Sequence, residues 1–180
     1  AHMDGEKSHW LVQTTLKSLA RLTHRGAVAA DGKSGDGCGI MLQFPEPFLR
    51  EIAAECGFKL SQRFASGLVF FSPDEALIER GKKILTRRLG RSALDVVGWR
   101  EVPTCPEVVG EQALQSMPAI YQVFVNAPAG WRPHDIERQL FAARRLAFEE
   151  LLAHNVALQE LRRETQRGGG PALDGPTTLQ

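Results

Sequence analysis

Apolar and polar positions recur along most of the chain with the periods of helices and strands. Val12, Leu16 and Leu19 fall on one face after Ser8, a residue that favours helix N-termini, and this predicts a helix from Ser8 to about Leu22. Terminal residues predict two further helices, Pro47–Cys56, closed by Gly57, and Pro73–Leu89, ended by Gly90. A short helix is predicted over Val108–Ser116 and a long one over Asp135–Arg163. In the last helix the predicted buried stripe consists of Ile136, Leu140, Ala143, Ala147 and Leu151.

Short apolar runs between these helices predict four strands. They are Gly39–Phe44, Phe64–Phe71, Leu94–Val102 and Ile120–Asn126. Because Phe64–Phe71 is apolar on both faces toward its end, we expect it inside a sheet that is covered on both sides. Strands alternate with helices, so the pattern as a whole predicts a mixed α/β sandwich. Gly26 is expected to form a left-handed cap after the first helix.

Composition limits the classes of partner. The net charge of +1 over 180 residues gives no bulk attraction for nucleic acid or anionic membranes, and no apolar run is long enough to span a bilayer. Three cysteines, Cys38, Cys56 and Cys105, without a CxxC pair argue against a structural metal site or a disulfide scaffold. We therefore expect a cytoplasmic protein. Because the residues after Arg167 are rich in glycine and have few apolar side chains to bury, we also expect one domain at 1–165 and a disordered tail at 166–180.

The connection between the first helix and the first strand concentrates the chemistry. Its sequence, Thr23-His24-Arg25-Gly26-Ala27-Val28-Ala29-Ala30-Asp31-Gly32-Lys33-Ser34-Gly35-Asp36-Gly37-Cys38-Gly39, places charged side chains among many glycines. Glycine is typical of positions with positive φ or close approach to a ligand. The residues alone leave two interpretations open, a binding loop and a tight turn with solvated charges.

This stretch resembles the glutaminase domain of the glutamate synthase large subunit, a class II glutamine amidotransferase with an N-terminal nucleophile. The resemblance continues in order from about Ala1 to Leu152, through Gly67-Leu68-Val69-Phe70-Phe71, Val97-Gly98-Trp99-Arg100-Glu101-Val102-Pro103, Met117-Pro118-Ala119-Ile120-Tyr121-Gln122-Val123-Phe124-Val125 and Glu137-Arg138-Gln139-Leu140-Phe141. It implies an α+β fold, here part of a four-layer αββα sandwich of mostly antiparallel sheets.

The resemblance also implies roles for the loop. Arg25 matches the family arginine that lines the glutamine pocket, and an arginine fork can pair with a carboxylate through two bonds. A local ion pair of Arg25 with Asp31 or Asp36 is the alternative. The remaining residues, expected to shape the loop under the pocket, are His24, Gly26, Asp31, Gly35, Asp36 and Gly37.

The family nucleophile is an N-terminal cysteine in a Cys-Gly-aliphatic-Gly pattern, and the family oxyanion hole contains a later Asn-Gly pair. Neither occurs in this sequence, and none of the three cysteines fits the nucleophile position. We therefore expect a truncated fragment of the domain, without a catalytic residue of its own and inactive by itself. A non-catalytic remnant with a structural or interaction role is the alternative function.

Cofactors and partners follow from the resemblance as well. It implies flavin mononucleotide and an iron–sulfur cluster in the full-length enzyme, neither of them bound by these residues, and a small NADPH-oxidising subunit. A competing hypothesis takes Gly32-Lys33-Ser34-Gly35-Asp36-Gly37 as a phosphate-binding loop. The glycine that such a loop requires four residues before its Gly-Lys pair is absent, and the helix precedes the loop.

Overall fold

The fold was analysed in a computed structural model that describes residues 5–6, 8–22, 26–35 and 37–168, with side chains as far as residue 153. The chain divides into two compact units. The first unit contains Ala1–Ile78 and Val97–Asn126, and the second contains Glu79–Val96 and Ala127–Gln180. Within the described ranges, no helix combines the length and the apolar character needed to cross a bilayer.

Five α-helices and three strands make up the described chain. The helices are α1 (His9–Ala20), α2 (Glu46–Glu55), α3 (Glu75–Arg91), α4 (Glu111–Leu114) and α5 (Pro133–Gly168), and a 3-10 turn spans Pro106–Val108. The strands are β1 (Phe64–Phe71), β2 (Asp95–Glu101) and β3 (Ala119–Asn126). The structure thus confirms all five predicted helices and three of the four predicted strands. Helix α5 extends into the first three residues of the tail expected at 166–180, so these residues are helical and not disordered. Residues 169–180 lie outside the described residues.

Helix ends follow local chemistry, with two corrections. The Ser8 side chain accepts a hydrogen bond from the Leu11 amide at 3.1 Å, as its predicted capping role requires. Helix α1 ends at Ala20 with Arg21 as a right-handed C-cap, so the expectation that Gly26 caps it is wrong. Helix α3 continues through Gly90, its predicted end, to Arg91, and Ala93 adopts the left-handed conformation with φ 58°.

The strands form one sheet in the order β1-β3-β2. Strand β3 pairs antiparallel with β1, with Phe64 opposite Asn126 and Phe71 opposite Ala119. On its other side, the Val102 amide, just after β2, donates to the Ile120 carbonyl at 2.9 Å. The α+β class is confirmed. The second sheet that a four-layer sandwich needs is not among the described residues.

The core of the first unit lies where α2 meets β3. Phe124 is fully buried and packs with Leu49, Ile52 and Ala53 from α2. The Phe58 ring lies 5.8 Å from the Phe124 ring, centroid to centroid. These contacts cover one end of the sheet face to which Phe124 belongs.

At the other end of the sheet face that contains Phe124, the predicted position of β1 is wrong. This strand lies at an edge of the sheet, not inside it, and Leu68 and Phe70 expose 56% and 62% of their surface. The predicted strand Gly39–Phe44 is also wrong, because residues 37–45 form neither helix nor strand and Met41 is fully exposed. Both segments have the composition of buried strands, but composition does not specify which strands lie beside them. Among the described residues, β1 has a neighbouring strand on one side, and residues 39–44 have none.

The second unit is built mainly from α3 and α5. Ile136, Ala143 and Ala147 are buried and Leu140 and Leu151 half-buried, which confirms the predicted stripe. Glu150 on α5 accepts hydrogen bonds from Arg87 and Arg88 on α3, the latter from Nε at 2.9 Å. The hydrogen bond from Arg87 is the main cause that lowers the pKa of the Glu150 carboxyl, and this ion pair links the two helices.

Candidate functional site: the glycine-rich loop

The glycine-rich loop folds back on itself between Val28 and Gly35. These two residues form an isolated antiparallel bridge. Inside it, the Ala29 amide donates to the Ser34 carbonyl at 2.8 Å, and the Gly32 amide donates to the Ala29 carbonyl at 3.0 Å. The result is a tight hairpin-like turn formed by local backbone contacts.

Two glycines are required by this backbone path. Gly32 has φ +67°, a conformation that disfavours side chains. A Cβ atom at Gly35 would lie 2.7 Å from the Ala27 carbonyl oxygen, so the two sides of the loop approach as closely as glycine allows. Gly35 was predicted to shape the loop, and a side chain at this position would collide with the backbone on the other side of the loop.

The Asp31 carboxylate organises the turn from within. Its Oδ1 accepts hydrogen bonds from the backbone amides of Lys33 at 3.0 Å and Ser34 at 2.7 Å. Its Oδ2 accepts from the Ser34 hydroxyl at 2.5 Å. An aspartate that bonds to amides two and three residues later is typical of turn chemistry, and here it fixes the whole segment 31–34.

The same groups attach the loop to a segment distant in sequence. The Gln112 amide donates to Asp31 Oδ2 at 3.3 Å, and the Ala113 amide donates to the Ser34 hydroxyl at 3.2 Å. Gly110, just before α4, is buried against both side chains. The loop and the connection between β2 and β3 are therefore in direct contact, and they meet at the first turn of α4.

Hydrogen bonding also determines the charge of Asp31. The Ser34 hydroxyl is the largest cause, followed by the Ser34 and Lys33 amides, and together they hold the pKa of the Asp31 carboxyl well below its usual value of 3.8. Each of these donors favours the ionised form. The carboxylate thus stays charged at neutral pH and keeps its acceptor role.

This geometry argues against the phosphate-binding hypothesis. In a phosphate-binding loop the backbone amides point at the ligand and a helix starts at the Ser. Here the Lys33 and Ser34 amides already donate to Asp31, and the next helix after the loop begins at Glu46. The chain's own carboxylate occupies the donors that a phosphate would need.

The remaining predicted site residues are placed only in part. Gly26 is exposed at the start of the loop, and Gly37 has φ +91° beyond the bridge. His24, Arg25 and Asp36 lie outside the described residues, and so does any ion pair of Arg25 with Asp31 or Asp36. The structure thus brings Asp31 and Gly35 together in one turn, and the role of Arg25 stays a prediction.

The cysteines are free and exposed. Within the described ranges, no group of three or more His, Cys, Asp or Glu side chains could hold a metal ion.

Sequence reasoning missed the residues that hold the loop in place. The sequence indicates Ser34 only as part of the motif, and it predicts no role for Gly110, Gln112 or Ala113. A local signal existed for Ser34, because its hydroxyl lies three residues after an aspartate. No signal in the sequence connects Gly110 with a loop about 75 residues earlier, since that contact is created by tertiary structure.

Comparison with known proteins shows the family to which the chain is similar. The family described as "Glutamine amidotransferases class-II" matches residues 1–162. Among curated proteins, the chain is 34% identical over 159 residues to a chloroplastic ferredoxin-dependent glutamate synthase of Spinacia oleracea, covering 87% of this chain and 10% of that protein. It is 32% identical over 148 residues to the glutamate synthase [NADPH] large chain of Bacillus subtilis (strain 168), covering 82% of this chain and 10% of that protein.

A rice protein, the chloroplastic ferredoxin-dependent glutamate synthase of Oryza sativa subsp. japonica, is 35% identical over 148 residues, which are 81% of this chain and 9% of that protein. The chain thus spans about a tenth of the length of the relatives it matches. The matched region contains the docked loop, the three-stranded sheet and most of α5. The chain belongs to the class II glutamine amidotransferases and is similar to one part of the glutamate synthases.

Proposed function

We propose that the chain forms part of the glutaminase module of a glutamate synthase and supplies one side of its glutamine site. The observation that carries this proposal is the docked glycine-rich loop, which lies inside the region shared with the family. A loop fixed by its own carboxylate and by a second segment can present neighbouring groups in a constant geometry, as a substrate site requires.

Arg25 is the proposed contact to the substrate. Glutamine carries an α-carboxylate, and an arginine can bind it through two parallel hydrogen bonds that also fix its orientation. Arg25 directly precedes Gly26 and the ordered turn, so the loop can hold its backbone while the long side chain reaches the ligand. In this proposal His24 and Asp36 shape the same pocket.

The proposed reaction is hydrolysis of the glutamine side-chain amide. In the family, the α-amino group of the N-terminal cysteine takes the thiol proton, and the thiolate attacks the amide carbon. The carbon–nitrogen bond breaks as that proton passes to the leaving nitrogen, which departs as ammonia. Water then cleaves the thioester, which releases glutamate and regenerates the thiol. The contribution of this chain is to bind and orient glutamine for the attack, since the proposed nucleophile is not one of its three cysteines.

The ammonia would be used by the rest of such an enzyme for reductive transfer to 2-oxoglutarate. Flavin mononucleotide and an iron–sulfur cluster would supply electron transfer there. In this proposal both cofactors bind outside this segment, as the family resemblance implies. A small NADPH-oxidising subunit is the proposed redox partner, and NADPH appears in the name of the Bacillus relative.

We propose the cytoplasm as location, since unpaired exposed thiols suit a reducing compartment.

The experiment uses the complete product of the reading frame that encodes this chain. Purified protein is given 2-oxoglutarate and reductant with either L-glutamine or ammonium as nitrogen source, and ammonia and glutamate are measured. We expect glutamate formation from both sources and ammonia release from glutamine. Activity with ammonium alone would contradict the proposal and favour a non-catalytic remnant with a structural or interaction role.

A further inference from the structure

We propose that Asp31 and Ser34 are positioning residues for glutamine use, and that they act by docking the glycine-rich loop on the segment from Gly110 to Ala113. This inference rests on the proposed function. It assigns to the β2–β3 connection a role in the glutamine site, although no residue of that connection belongs to the predicted loop.

The first support is the pairing of donors and acceptors between the two segments. The loop contributes a carboxylate oxygen of Asp31 and the hydroxyl of Ser34, and α4 contributes two consecutive backbone amides, those of Gln112 and Ala113. Amides in the first turn of a helix have no partner within the helix. The loop therefore satisfies donors that the short helix α4 leaves open, and each segment completes the other.

The second support is steric. A Cβ atom at Gly110 would lie 2.5 Å from Asp31 Oδ2 and 2.7 Å from the Ser34 amide nitrogen, and it would overlap the Ser34 hydroxyl. Nothing larger than glycine fits between the two segments without moving one of them. The approach is thus as close as the backbone permits, and a single methyl group at Gly110 is a direct way to separate them.

The third support is the short covalent path to the proposed substrate contact. Val28 is fixed by its bridge to Gly35 and follows Arg25 by only three residues. Because each residue spans at most about 3.6 Å, the fixed backbone at Val28 limits how far the chain three residues earlier can lie from the docked turn. In this proposal, docking at Asp31 and Ser34 thereby restricts the position of the residue that would bind the glutamine carboxylate.

The test compares variants on both sides of the contact. Ser34→Ala removes the hydroxyl from the loop, and Gly110→Ala pushes from the opposite segment. The matched controls are Ser72→Ala, an exposed serine between β1 and α3, and Gly90→Ala, where an added Cβ meets nothing within 4 Å. Steady-state kinetics with glutamine and with ammonium are measured on the complete reading-frame product, and amide hydrogen exchange of residues 26–35 on the 180-residue chain.

We expect Ser34→Ala and Gly110→Ala each to raise the KM for glutamine about fivefold or more, the factor that corresponds to one net hydrogen bond. The kcat with ammonium should not change. The free-energy change calculated from the glutamine KM of the double variant should be smaller than the sum of the two single changes, because both substitutions act on one contact. Exchange of the Ala29 and Ser34 amides should accelerate in both variants and in neither control.

Faster exchange with unchanged glutamine kinetics would overturn the positioning role, since the loop would then be released without consequence. Unchanged exchange would overturn the docking itself. An unsubstituted protein that does not use glutamine would contradict the proposed function, and the inference would be rejected with it. Equal losses with glutamine and ammonium would show general damage to the fold and would also overturn the assignment.

Discussion

The glycine-rich loop and strand β3 are held in place by opposite kinds of contact. In the loop, among its described residues, only Ser34 is buried, and the fixed geometry comes from hydrogen bonds around the Asp31 carboxylate. In β3, Gln122 to Val125 are all buried, and Phe124 packs on α2. Apolar burial contributes most of the stability of a fold, whereas hydrogen bonds around one charge mainly fix a shape. We therefore expect β3 to determine stability and the loop to determine use of substrate.

The largest effect is expected at the centre of the sheet. Phe124→Ala removes a fully buried ring from the contact with α2 and should lower the free energy of unfolding by about 3–5 kcal/mol. Phe70→Ala is the control, since Phe70 lies on the same face of the sheet but is mostly exposed. Urea unfolding followed by circular dichroism measures both. Equal losses of unfolding free energy in the two variants would show that packing against α2 does not stabilise one end of this face more than the other.

A smaller effect is expected where β2 passes the same core. A Cβ atom at Gly98 would overlap the Phe58 ring, which is itself packed on Phe124. Gly98→Ala should therefore destabilise the chain by about 1–3 kcal/mol through overpacking. Gly67→Ala in β1 is the matched control, because an added Cβ there meets nothing within 4 Å. The melting temperatures of the two variants are measured by thermal unfolding. A Gly98→Ala protein that melts at the same temperature as the unsubstituted chain would mean that the Phe58 ring can move aside at little cost.

The smallest effect on stability is expected in the loop, and it should depend on pH. The folded pKa of Asp31 lies below its unfolded value, so its stabilising contribution is present above about pH 4 and is lost as pH falls toward the folded pKa. Asp31→Asn should be less stable than the unsubstituted chain at neutral pH, and this difference should narrow on acidification below about pH 4.

Melting temperatures across this pH range measure the difference. Asp95→Asn, at an exposed carboxylate in β2, is measured beside it as the control. A difference between Asp31→Asn and the unsubstituted chain that stays constant with pH would contradict the role of the charge. It would then be the shape of the side chain that holds the turn.

The sequence predicted local structure better than contacts between distant segments. The end of helix α2 beside Gly57, with φ +74°, was predicted from that one glycine, which is a local signal. The predicted strand Gly39–Phe44 and the interior position of β1 were wrong because both depend on neighbouring strands, which apolar composition does not specify.

The candidate site shows the same division. Asp31 and Gly35 were recognised from the motif, and their turn is made by contacts within a few residues. The docking of Ser34 beside Gly110 was not foreseen, because it joins residues about 75 positions apart. The contributions of His24, Arg25 and Asp36 remain predictions from the family resemblance.

The central claim, that the loop serves glutamine, is tested most directly by Arg25→Lys in the complete reading-frame product. Lysine keeps the charge but cannot form the two parallel bonds of a guanidinium, so glutamine-dependent glutamate synthesis should fall by roughly tenfold or more. Activity with ammonium and the melting temperature should be nearly unchanged, since neither requires the substrate carboxylate to be bound. Equal loss with both nitrogen sources would contradict the account and make Arg25 a structural residue. No loss with glutamine would contradict it as well, because the guanidinium would then not be needed to bind the substrate carboxylate.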